Sequence, residues 1–142
     1  MEIVNNLLFW VHLMALALGG VATFGLPVVG AQMPGATAET RPTLFRVANG
    51  LSSVGRVGLG LLIVTGPLLV WLKFGGVEGF TWWFNAKMVL VVLLLILVIF
   101  AGITSKRAQG GDMAAAKRIP ILGVTGMILL LGVVLCAVFA FN

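Results

Sequence analysis

The stretch WWFNAKMVLVVLLLILVIFAGIT, residues 82–104, decides the fold. After Lys87 it carries no polar or charged side chain until Thr104. At about 1.5 Å of rise per residue it is long enough to cross the ~30 Å hydrocarbon of a bilayer as one helix. Working outward, three more apolar blocks of comparable length come into view: residues 5–31, 44–72 and 119–141. Hydrophobic residues make up 61% of the 142 positions and charged residues 9%. With a mean hydropathy of +1.17, this composition lies outside that of soluble domains. Backbone groups in hydrocarbon must be satisfied within their own segment, so the blocks predict helices. The chain as a whole, residues 1–142, predicts a single all-α domain, an integral membrane four-helix bundle. The first block is too long for a signal peptide and lacks its basic leading region.

Charge in the loops gives the expected orientation. Arg41 lies in the first loop, residues 32–43, with Arg46 just inside the next helix, and Lys106, Arg107, Lys117 and Arg118 crowd the third, residues 105–118. The second loop, residues 73–81, sets Lys73 against Glu78. Cytoplasmic loops carry the excess of Lys and Arg. This predicts a multi-pass protein of an inner or plasma membrane with both termini extracytoplasmic. The net charge of +5 follows from that asymmetry and from anionic lipid headgroups, so the partner is the lipid bilayer and no nucleic acid is implied. Trp10, Trp71, Trp82 and Trp83 fall near the outer ends, where indoles anchor at the headgroups; lining a cofactor pocket is the alternative. Met33-Pro34-Gly35, Gly75-Gly76 and Gly110-Gly111 mark turns, and Thr40 or Thr43 is placed to cap the second helix. Pro27 and Pro67 read as kinks near helix ends, and Pro120 as a residue of a first helical turn. Cys136, the single cysteine, lies in the last block and reads as a small buried apolar group.

Ionisable residues within apolar blocks are functional candidates. His12 and Lys87 lie about 10 Å and about 9 Å below the same predicted face, counted from Asn5 and Thr81, and helices one and three can meet across a bundle interior. A neutral imidazole and an uncharged lysine amine are both ligands to haem iron, which makes His12 and Lys87 candidate metal ligands. A structural histidine bonded to a carbonyl, and a lysine snorkelling to the headgroups beside Asn85, are the competing readings. Ala15, Gly19 and Thr23 share a small-residue stripe with His12, leaving room for a flat macrocycle or for another helix. Arg56 lies near mid-membrane in the second block, and none of the four blocks contains an Asp or Glu. It must be matched by serine and asparagine oxygens, carbonyls, water, or an anionic ligand such as a propionate or phosphate. It is therefore a candidate cofactor-binding residue.

Three groups of residues also carry a family resemblance. Phe9-Trp10-Val11-His12-Leu13 early in helix one, Gly25-Leu26-Pro27 at its far end, and Trp83-Phe84-Asn85-Ala86-Lys87 opening helix three look like the HemJ-type protoporphyrinogen oxidases and related CopD-like membrane proteins. The resemblance covers most of the chain on short motifs. It implies that His12 and Lys87 are the residues associated with haem b and with catalysis. Pro27 is followed by Val28, Val29 and Gly30, where the HemJ pattern has an arginine, an aromatic residue and a histidine. Three functions are thereby set against one another. One is a haem b redox enzyme passing electrons from a membrane-borne tetrapyrrole to an acceptor such as quinone. Another is a haem-binding or accessory subunit of a membrane complex without substrate chemistry of its own. The last is a small anion or metal transport accessory protein, against which the distance in depth between His12 and Cys136 counts. Abundant glycine on helices two and four, Gly58 and Gly126 among them, predicts a homo-oligomer.

Overall fold

The computed structural model describes residues 2–73, 75–76 and 81–140. Four helices account for nearly all of them: α1 (Glu2–Gln32), α2 (Arg41–Leu72), α3 (Trp82–Gln109) and α4 (Met113–Ala140). Each is long and apolar enough to cross a membrane, which makes the architecture a multi-pass all-α bundle. At 28 to 32 residues the helices run to about 42–48 Å, well beyond the ~30 Å hydrocarbon core. Their ends therefore project into the headgroups.

That projection corrects the expected boundaries. Arg41–Thr43, Ser105–Gln109 and Met113–Arg118 are helical, because Lys, Arg, Ala and Gln are good helix formers once outside the hydrocarbon. The third loop shrinks to residues 110–112, a turn in which Gly111 takes φ +98°, a left-handed conformation that suits a residue without Cβ. Asp112 then caps α4, its carboxylate accepting from the N–H groups of Ala114 at 3.0 Å and Ala115 at 3.2 Å. Pro120 consequently sits in the third turn of α4 rather than the first. Pro42 opens α2, where its fixed φ suits a first turn. Thr40 holds the N-cap position of α2 but makes no side-chain cap bond; its hydroxyl lies 3.1 Å from that of Thr37. Glu78, which balances Lys73 in the second loop's charge, lies outside the described residues.

α1 packs on α2, α3 packs on α4, and the two hairpins join through α1 and α4. Among the described residues, no Cα of α2 comes within 8 Å of one in α3. The side chains of Gln109 and Asn49 nevertheless meet across that side at 3.4 Å. Close approach is set by small residues. A Cβ on Gly58 would lie 2.8 Å from both the Ala15 carbonyl oxygen and the Gly19 nitrogen, and one on Gly55 would lie 2.6 Å from Ala22 Cβ. The Ala15–Gly19 stripe of α1 is thus filled by α2 and leaves no slot for a macrocycle. Gly126 likewise sits inside the bundle, between Thr23 of α1 and Leu97 of α3. Gly58 and Gly126 serve contacts within one chain, and the oligomer surface expected at them is not there. Large apolar side chains such as Val28, Ile63, Ile96, Ile99 and Ile128 instead point outward, as a lipid-facing surface requires.

Candidate functional site

Gly126 of α4 gives the register that brings the candidate residues together. It is flanked by Thr23 of α1 and Leu97 of α3, and these two helices run parallel. Eleven residues back from each along the chain stand His12 and Ala86, the neighbour of Lys87. At a common rise per residue the two lie at one level. Both are half-buried. Phe84, one turn before Lys87 on α3, is buried.

The ring of His12 is held from α2. Its Nδ1 lies 2.8 Å from Thr65 Oγ1, and the Thr65 hydroxyl donates to the Leu61 carbonyl oxygen one turn back at 2.7 Å. Thr65 was not foreseen from the sequence. A hydroxyl in an apolar run was the available signal, but only the α1–α2 register shows which threonine faces the ring. Above this level Trp83 stacks on Phe139, with ring centroids 5.0 Å apart, while Trp10, Trp71 and Trp82 are exposed as headgroup anchors would be. Lys73 stands 4.3 Å over the Phe9 ring at the same end of the molecule.

Two other expectations change. Cys136, ten residues beyond Gly126 on the antiparallel α4, comes to the level of His12 and is buried; the two are not separated in depth. Arg56 does not join the pair. Nine residues before Thr65, at about 100° per residue, it points from the opposite side of α2 and lies about 13 Å deeper. Its side chain is exposed. A hollow of about 560 Å³ lies at the opposite end of the bundle, lined by Gln32, Ala36, Glu39, Thr40 and Leu44, and reaches neither His12 nor Lys87.

As ligands to a haem iron the two residues are of a fitting kind. One is an imidazole whose second nitrogen is already bonded to a neighbour, as metal-bound histidines require. The other is an amine on a long stem at the same depth. Space for a macrocycle along α1 is closed by α2, so the fit rests on the donors.

The fold and this pair define a class: a polytopic helical membrane protein with a histidine and a lysine at one level of its apolar zone. No protein-family model matches the chain, and no curated protein or solved structure is found similar to it.

Proposed function

We propose that the chain is a membrane haem b-binding redox protein of the HemJ type. It would take electrons from a membrane-borne tetrapyrrole and pass them to an acceptor such as quinone. The observation that carries this reading is the register at Gly126, by which His12 and Lys87, on diagonal helices, stand at one level of the apolar zone. Two costly ionisable groups at one depth in hydrocarbon support a shared ligand. His12 and Lys87 would hold the iron, and a bound haem supplies the one-electron chemistry that these side chains lack. Buried Phe84 and the Trp83–Phe139 stack lie toward the outer end from this level. The basic ends at Arg41, Arg46 and Lys106–Arg118 face the cytoplasm in this reading, with both termini outside.

A second reading, a haem-binding or accessory subunit without substrate chemistry, is favoured by the position of Arg56. The arginine deep within the second apolar block faces away from the donors, so it does not stand ready to hold a substrate carboxylate beside them. Complementation divides the two. In a strain lacking protoporphyrinogen oxidase, rescue by the wild-type chain and not by His12→Ala or Lys87→Met is the result expected of the enzyme. Failure of a membrane-inserted, haem-loaded wild-type chain to rescue growth assigns the accessory role.

A further inference from the structure

We infer that Thr65 is a positioning residue that fixes the tautomer of His12, keeping the proton on Nδ1 and leaving Nε2 as the nitrogen with the free lone pair. The argument is a count of protons. A threonine hydroxyl has one hydrogen to give and two lone pairs to receive with. The Leu61 carbonyl oxygen can only accept, and at 2.7 Å it takes that hydrogen. The oxygen that faces Nδ1 at 2.8 Å is thereby left to accept, so Nδ1 must donate. Only with a proton on Nδ1 are both short contacts hydrogen bonds; with the proton on Nε2, one of them sets two lone pairs against each other at 2.7–2.8 Å. Free histidine side chains in water favour the opposite tautomer, with the proton on Nε2. The buried helix face of α2 therefore selects the less common form and turns Nε2 outward from the Thr65 contact as a lone-pair donor. The deduction about the tautomer stands on hydrogen-bond geometry alone; its consequence for iron ligation rests on the function proposed above, where an oriented second nitrogen is what a ligating histidine needs.

Because His12 is the only histidine, the test is direct. The full chain, labelled with ring-15N histidine, is produced in haem-limited cells, reconstituted in lipid nanodiscs and examined by NMR. The expected result is one protonated-type nitrogen assigned to Nδ1 and one lone-pair-type nitrogen assigned to Nε2. Thr65→Val should shift the proton to Nε2 or give a mixture, and Thr65→Ser should restore the wild-type pattern. A proton on Nε2 in the wild type, or an unchanged pattern in Thr65→Val, overturns the inference. Should Thr65→Val fail to fold, the wild-type spectrum decides on its own. In haem-loaded protein, Thr65→Val should weaken retention of the group by about 10–100-fold, with Thr65→Ser close to wild type; equal retention in all three overturns the link from tautomer to ligation. A wild type that binds no haem at all sinks the proposed function and leaves the nitrogen assignment standing.

Discussion

At His12 the chemistry depends on neighbours from two other helices. Thr65 of α2 takes one ring nitrogen, and Lys87 of α3 stands at the same level. His12 and Lys87 were legible in the sequence, because an ionisable residue in an apolar block stands out against its surroundings. Thr65 was not, since an intrahelical hydroxyl bonded to the carbonyl four residues back is ordinary: Thr23, Thr104 and Thr125 do the same. Arg56 stood out for the same reason as His12 and was misleading, because block position gives depth but not which way a side chain turns around the helix. The residue-scale prediction concerns Lys87. If it is an axial ligand, Lys87→Leu, which has no ligating atom, should keep the haem but convert it from low-spin to high-spin iron, read by electron paramagnetic resonance. An unchanged low-spin signal would show that Lys87 is not bound to the iron.

The glycines of α2 divide into those that meet another helix and those that do not. Gly58 lies against the backbone of α1, and a Cβ there would stand 2.8 Å from two main-chain atoms that cannot move aside. Gly60, two residues on, has nothing within 4 Å of where a Cβ would be. Gly58→Val should therefore destabilise the α1–α2 hairpin by about 3 kcal/mol, at the upper end of overpacking costs, whereas Gly60→Ala should be neutral or slightly stabilising through helix propensity. The midpoint of thermal unfolding in detergent separates the two variants. Loss of the α4 cap in Asp112→Ala should cost about 1 kcal/mol by the same assay. The existence of each helix was plain from apolar length, and their ends were not. Apolarity reports the hydrocarbon, while the helices continue through polar flanks that favour helix equally well. Asp112 was readable as a cap only once α4 was known to begin at Met113.

The whole molecule is two antiparallel hairpins joined along α1 and α4, with α2 and α3 standing apart on the remaining side. Composition alone established a membrane bundle, because a chain with so few charges cannot cover itself with a polar surface. Which helices touch was beyond it: hydrophobic residues surround every helix, so no polar face points outward to betray the pairing. Small residues carried part of that information, but the sequence could not distinguish contacts within one chain from contacts between copies. Orientation can be tested by labelling. In a Cys136→Ala background, cysteines placed at Thr37 and Gly111 should react with a membrane-impermeant reagent only from the cytoplasmic side, and one at Thr81 only from the outside; the reverse pattern would invert the proposed topology. The central claim, a haem held in the bundle by His12, meets its most direct test in the visible absorption spectrum of the full chain purified from haem-replete cells. A Soret band in the wild type that is lost in a folded His12→Ala variant is the predicted result. A colourless wild type, or a band of full intensity in His12→Ala, would contradict it.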